Sequence, residues 1–260
     1  MSEWETVKLE LDGPVAVVTL NRPQVLNAFN SQLLSDLREC VDQVNADEAI
    51  RVVILTGEGR GFSAGADLGA EKKDNVSVEE TLNGGYKPIL MAITEASKPW
   101  ISAVNGAAAG VGSSFAMNCD LTVMAEDAYL YQAFASIGLI PDGGATWHLA
   151  RTIGRKRAYE LIATGEKLKA DKCLTLGLCN RVVPADELLS QTRAWAHELA
   201  GRAPLSLRYA KQALNTAMEA DVSETFGREA QLQHLCVTSE DAKEGMRAFM
   251  QKRAPEFKGR

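Results

Sequence analysis

Asp142 is the residue around which chemistry can be built. It follows Ile-Gly-Leu-Ile-Pro at 137–141 and precedes Gly143-Gly144, with an apolar helix predicted from Ala145. The apolar run 137–140 carries the chain to Pro141, and the two glycines let the backbone pass close to a neighbour. In the simpler reading Asp142 is a helix N-cap, its carboxylate accepting from the first free N–H groups. In the other it faces a pocket and can move a proton or attack a carbon. Taken alone, the stretch favours the cap; the rest of the chain reverses that balance.

Gly61-Phe62-Ser63-Ala64-Gly65 matches the G-x-S-x-G nucleophile elbow. That motif needs a strand running into the serine and an apolar helix leaving it. The strand predicted here ends several residues earlier, the segment after Leu68 is polar, and no histidine is marked out as a base, so a serine hydrolase is set aside. Gly57-x-Gly59-x-Gly61 and Gly110-x-Gly112 fall short of the dinucleotide-binding pattern. Read together, the two glycine-rich places gain weight. Each follows a buried strand and consists of small residues, so backbone N–H groups can approach a ligand. The second opens a helix, whose dipole favours negative charge. Two such N–H groups from separate loops make an oxyanion hole, suited to a carbonyl that becomes an enolate. Tight backbone packing is the competing explanation.

The elements that must position these residues follow from apolar spacing. Strands are predicted at 7–11 and 15–20 around Asp12-Gly13-Pro14, and a helix at 31–45 with Leu33, Leu34, Leu37, Val41 and Val44 on one face. Strand 52–56 is continuously apolar, which suggests a parallel sheet. The polar segment 69–77 is predicted mobile. A helix over 78–96 places Leu82, Tyr86, Ile89, Leu90 and Ile93 together. Strand 100–104 leads into the small-residue stretch 105–112 and a helix to about 119, and strands follow at 121–125 and 129–131. Beyond a helix at 155–164 and a strand at 181–183, helices are predicted at 188–200, 205–216, 222–236 and 239–252. The chain thus divides into an α/β body, 1–200, and a helical part, 201–260. The latter is too thin for a core of its own and needs the body or a neighbouring subunit to cover it.

The 260 residues carry a formal charge of −6, which argues against a nucleic-acid surface. Five scattered cysteines without a C-x-x-C pair fit reduced thiols in a cytoplasmic protein, and the three histidines show no ligand spacing for a metal. No apolar run approaches transmembrane length, and the charged N-terminal stretch reads as neither signal nor transit peptide.

Taken in order, Leu20-Asn21-Arg22-Pro23 with Leu26-Asn27-Ala28, Phe62-Ser63-Ala64-Gly65-Ala66-Asp67-Leu68, Lys98-Pro99, Val104-Asn105-Gly106, Ala109-Gly110-Val111-Gly112, Asn118-Cys119-Asp120 and Gly177-Leu178 before Arg181-Val182-Val183 resemble the enoyl-CoA hydratase/isomerase (crotonase) superfamily. So does the tail with Glu244-Gly245, Ala248-Phe249 and Lys252-Arg253. The resemblance implies a ClpP-like spiral of repeated ββα units, a helical C-terminal part that forms a homotrimer or a dimer of trimers, and a coenzyme A thioester as substrate with no further cofactor. Carried over by position, the hole amides are those of Ala66 and Val111. The implied substrate-binding set adds Ala28, Ala64, Asp67, Leu68, Gly110, Ser114, Phe134 and Tyr86, with Arg22, Lys252 and Lys258 as candidate partners of the CoA phosphates. The two glutamates that handle water in the family's hydratases fall on Ser114 and Phe134, which counts against hydration. Asp142 falls where dienoyl-CoA isomerases place an aspartate, and residues 133–147 are most similar to epoxyphenylacetyl-CoA isomerases. The expectation is therefore an acyl-CoA isomerase with Asp142 as base and then acid, in a pocket walled by Phe134, with Tyr86 or Trp147 beside it or else packed in the core. The alternatives are Asp142 as nucleophile in dehalogenation or thioester hydrolysis, against which helix 78–96 lacks a histidine, or a non-catalytic CoA-ester binder.

Overall fold

The computed structural model describes residues 4–70 and 76–260. β1 (Val7–Asp12) and β2 (Val15–Leu20) form an antiparallel hairpin, and α1 (Ser31–Ala46) follows with Asn30 as its cap. The chain then winds as a spiral in which each turn supplies a strand to each of two sheets, then a helix. The first turn is β3 (Val52–Gly57), β4 (Gly61–Ser63), α2 (Val78–Thr81) and α3 (Lys87–Thr94). The second is β5 (Trp100–Val104), β6 (Ala107–Ala109) and α4 (Val111–Asn118), and the third is β7 (Leu121–Ala125), β8 (Tyr129–Tyr131), α5 (Ala145–Ile153) and α6 (Arg155–Thr164). β9 (Lys167–Lys169), α7 (Ala170–Leu176), β10 (Arg181–Val183) and α8 (Leu188–Ala200) close the spiral. α9 (Pro204–Ala217), α10 (Val222–Val237) and α11 (Glu240–Gln251) complete the chain.

The larger sheet runs β1-β2-β3-β5-β7-β10, parallel from β2 onward; the smaller runs β4-β6-β8-β9. Every residue of β3 and β5 is buried, as their unbroken apolar runs require. Four of the five cysteines are buried too, and all five are unpaired. α9 is fastened to the body through Lys211, whose Nζ lies 2.8 Å from both Asp120 Oδ2 and the Ile93 carbonyl. Among the described residues no helix is long and apolar enough to cross a membrane.

Three differences from the sequence-based expectation bear on the site. The stretches expected as loops at 57–65 and 105–112 contain β4 and β6, three-residue strands of Gly-Phe-Ser and Ala-Ala-Ala. Their composition carries no strand signal; they form because each follows a sharp turn out of a long strand and finds a parallel neighbour. The helix expected over 78–96 is broken by a π-turn at Leu82–Tyr86, where the Lys87 N–H reaches back to Leu82 O. Pro88 explains the break: it has no N–H for the Gly84 carbonyl and its ring crowds that turn. The strand β9 and helix α7 were not anticipated. The polar segment expected to be mobile includes residues 71–75, which lie outside the described residues.

Candidate functional site

Two loops meet at the N-terminus of α4, and glycine is what lets them. A Cβ on Gly65 would sit 2.8 Å from the Ala109 carbonyl oxygen, and one on Gly112 would sit 2.7 Å from Ser63 Cβ. Gly65 and Gly110 both have positive φ, 93° and 53°, which a side chain would strain. Ala66 forms a parallel bridge with Phe29, in which the Phe29 N–H donates to Gly65 O and the Asp67 N–H donates to Phe29 O. The Ala66 N–H therefore points away from that bridge. Val111 is the first residue of α4, so its N–H has no intrahelical acceptor. Among the described residues neither N–H has a hydrogen-bond partner. Ala64, Ala66 and Leu68 are exposed while Gly65 is buried, so alternate residues of this segment line an open edge.

Asp142 sits on the turn facing the start of α4. Ser114 Oγ donates to the Asp142 carbonyl at 2.8 Å, and Asn118 Nδ2 donates to the Gly143 carbonyl at 3.0 Å. Gly143, at φ 59°, packs so closely that a Cβ would lie 2.8 Å from Ser114 Cβ. The N-cap of the simpler reading is not made: Gly144 occupies the cap position of α5, in a left-handed conformation and without a side-chain hydrogen bond. The helix begins too late for the Asp142 carboxylate to cap it. Instead Asp142 Oδ1 is buried and, among the described residues, unpartnered. Burial pushes its carboxyl up to about 6, against a weaker opposing hydrogen bond from its own N–H.

Aromatic rings pack around the start of α4. Phe134 lies on a 3-10 turn at Ala133–Ile137, its Cζ 3.7 Å from where a Gly110 Cβ would be. Phe29 and Phe115 stack with centroids 4.5 Å apart, and both meet the Tyr86 ring edge-on. Burial raises the Tyr86 phenol to about 12, and the nearby Asp142 carboxylate adds to the shift. Tyr86 is thus a neutral donor at pH 7, brought here by the π-turn.

Other residues singled out from the sequence fall elsewhere. Trp147 is turned toward the α9–α10 connection, donating to Glu219 at 2.9 Å under the Arg151 guanidinium. It lines, with His148, Asn118 and Lys211, a separate cavity of about 460 Å³. Arg22 is not a free cation: it pairs with Asp67 at 2.9 Å and donates to the Ala28 carbonyl, bracing the 22–28 segment against the hole strand. Ala28 is buried beneath that brace, and Asp67 also accepts from the Gly69 N–H. Lys252 and Lys258 are exposed on the tail and, among the described residues, make no hydrogen bond or ion pair with a site residue. Ser63 is fully buried and donates to Asn27 O, which removes it as a nucleophile. Unforeseen were Ser113, Gln132 and Asn118, polar residues within the apolar α4 region and the end of β8.

The chemistry available is that of two backbone donors and one desolvated carboxylate grouped around the start of α4, fit to bind a carbonyl oxygen and carry a proton beside it. The raised pKa has a consequence for stability. Between about pH 4 and 6 the folded state binds the Asp142 proton more tightly than the unfolded chain does, so folding weakens as pH rises through that window. Asp142→Asn, uncharged throughout, is expected to melt higher than wild type at pH 7 and equally near pH 3.5. A lower melting temperature at pH 7 would mean that the carboxylate stabilises the turn after all.

Comparison with known proteins gives the family and the fold. Residues 10–260 match the enoyl-CoA hydratase/isomerase family. The chain is 37% identical to the 1,2-epoxyphenylacetyl-CoA isomerase of Escherichia coli K12, covering 98% of this chain and 99% of that one. It is also 37% identical to a short-chain-enoyl-CoA hydratase of Clostridium acetobutylicum, over 99% and 100%. A crystal structure of enoyl-CoA hydratase from Bacillus anthracis superposes with a TM-score of 0.91 at 31% identity, covering 98% of this chain and all of the other. With its crotonase fold, the chain belongs to the enoyl-CoA hydratase/isomerase family.

Proposed function

We propose that the chain is an acyl-CoA isomerase, shifting a double bond or rearranging an epoxide in a CoA thioester such as a 3-enoyl-CoA or epoxyphenylacetyl-CoA. The observation that carries this is the single desolvated carboxylate. Asp142 is half-buried, with its Oδ1 buried and unpartnered among the described residues, while the two positions that hold water-handling glutamates in the resembling hydratases carry Ser114 and Phe134. Ser114 is spent on the Asp142 carbonyl and Phe134 has no proton to give.

In this reading the Ala66 and Val111 N–H groups hold the thioester oxygen, each donor contributing roughly 3 kcal/mol to the enolate-like transition state. Asp142 takes a proton from the acyl chain and returns it further along, base in one step and acid in the next. A carboxyl near pH 6 is close to the optimum for serving both roles. Coenzyme A enters as part of the substrate, and no other cofactor is required. Relatives named as hydratases outnumber those named as isomerases. What supports isomerisation is that hydration by the family's pair of glutamates needs a second carboxylate, and Ser114 and Phe134 stand at those two positions.

The same reading makes the active form a homotrimer or a dimer of trimers. Val222, Phe226, Phe249 and Met250 are exposed on the helical tail, Phe249 at 85%, whereas Leu232 is covered. Such a face calls for a partner. Sedimentation should give a trimer or hexamer at micromolar concentration; a stable monomer would remove this part.

Asp142→Asn tests the chemistry. Isomerase turnover should fall about a hundred- to ten-thousand-fold, with acyl-CoA affinity little changed. In wild type, kcat/KM should rise with pH to a plateau governed by a group near pH 6, because only the carboxylate form accepts a proton. Near-normal turnover in the variant would leave the binding-protein reading in its place.

A further inference from the structure

We propose that Ser113, held by Gln132, aims and strengthens the Val111 N–H; this rests on that N–H being a hole donor. A peptide is planar and trans, so the Gly110 carbonyl and the Val111 N–H share one plane and point opposite ways. Whatever fixes that carbonyl fixes the direction of the N–H. The Gly110 oxygen accepts from Ser113 Oγ at 2.7 Å and from the Ser113 N–H at 3.0 Å, while the Gly110 N–H donates to Tyr131 O at 2.9 Å. The peptide's own carbonyl is held by two donors, and the peptide before it is held to β8.

The direction of the hydroxyl proton follows from its neighbours. Ser113 Oγ has a single proton to donate, and its second side-chain partner, Gln132 Nε2 at 2.7 Å, can only donate to it. The proton therefore goes to the Gly110 carbonyl. The dipoles run one way, from Gln132 N–H to Ser113 O–H to Gly110 C=O to Val111 N–H, and in a buried chain each link polarises the next. Ser113 and Gln132 are both buried, at 0% and 1% exposure.

A serine at a helix start often bonds back to a carbonyl three residues earlier with no functional meaning. Two observations set this one apart. Gln132 Oε1 is buried and unpartnered among the described residues, an orientation unfavourable for stability. The reverse orientation would offer Oε1 to Ser113 and let its proton turn away from Gly110. The other hole peptide is also anchored from behind, its Gly65 carbonyl accepting the Phe29 N–H at 2.7 Å, but there by backbone alone. On the Val111 side the carbonyl takes the Ser113 hydroxyl as well as the Ser113 N–H.

Ser113 is thus a positioning residue, and its signature is the polarisation of a bound carbonyl. Cinnamoyl-CoA, a conjugated thioester, absorbs at longer wavelength when its carbonyl is polarised, so its bound spectrum reports the hole directly. Ser113→Ala should lose most of the wild-type red shift and lower kcat about ten- to a hundredfold, less than loss of a donor itself, with KM within about threefold. Ser113→Thr, which keeps the hydroxyl, should restore both, and Gln132→Met should fall between. Asp142→Asn should keep the full red shift. An unchanged red shift and kcat in Ser113→Ala would overturn the role of Ser113 alone. If that variant does not fold, Gln132→Met decides, an unchanged shift again overturning it. Absence of any red shift in wild type would remove the hole itself and this proposal with it.

Discussion

Everything at the site depends on backbone approaching backbone without side chains between. Gly65 against Ala109, Gly112 against Ser63 and Gly143 against Ser114 are contacts that a single Cβ would break. All three converge on the first turn of α4, which makes that helix start the hub of the molecule. One loop brings the Ala66 N–H to it, the spiral's next turn brings the Val111 N–H, and the following turn brings Asp142. The spiral explains why residues so distant in sequence meet: parallel strands β4, β6 and β8 lie side by side, so the segments leaving them emerge at one edge.

The electrostatics around this hub are uneven. Asp36, Asp67, Asp120 and Asp241 each accept hydrogen bonds from neighbours that hold the charge in place. Asp142 differs: its Oδ1 is buried, with the Tyr86 phenol nearby, and has no such help among the described residues. A carboxylate kept where water is poor and partners are lacking is unfavourable for folding and useful for proton transfer, the trade commonly seen at reacting groups. Tyr86 packs edge-on against the stacked Phe29 and Phe115 rings, and burial there keeps its phenol, near Asp142, uncharged.

How much of this was legible in the sequence varied with the physics involved. Strands 100–104, 121–125 and 129–131 were read to the residue because apolar runs bounded by turns leave little choice. β4 and β6 were not, since alanine, glycine and serine pair as strands only when a neighbour is already in place. The π-turn at Leu82–Tyr86 was hidden by a helical apolar period that continues through it; Pro88 was the overlooked sign. Trp147 and Tyr86 looked equivalent, yet Trp147 lies on the face of α5 turned to the C-terminal helices. Ser113 and Gln132 left no pattern at all, because a hydrogen-bond relay between a helix start and a strand end is a tertiary fact. The Asp142 cap was excluded only once the helix start was seen to fall at Gly144 rather than beside the carboxylate.

The central claim is that one carboxylate moves a proton along an acyl-CoA chain without adding water. The direct test is to supply a 3-enoyl-CoA deuterated at the carbon next to the thioester carbonyl and to analyse the first-formed product by mass spectrometry. The account predicts a 2-enoyl-CoA of unchanged elemental composition, with part of the deuterium returned further along the chain because the same shielded Asp142 carries it. A 3-hydroxyacyl-CoA, heavier by one water, as the main product would contradict it.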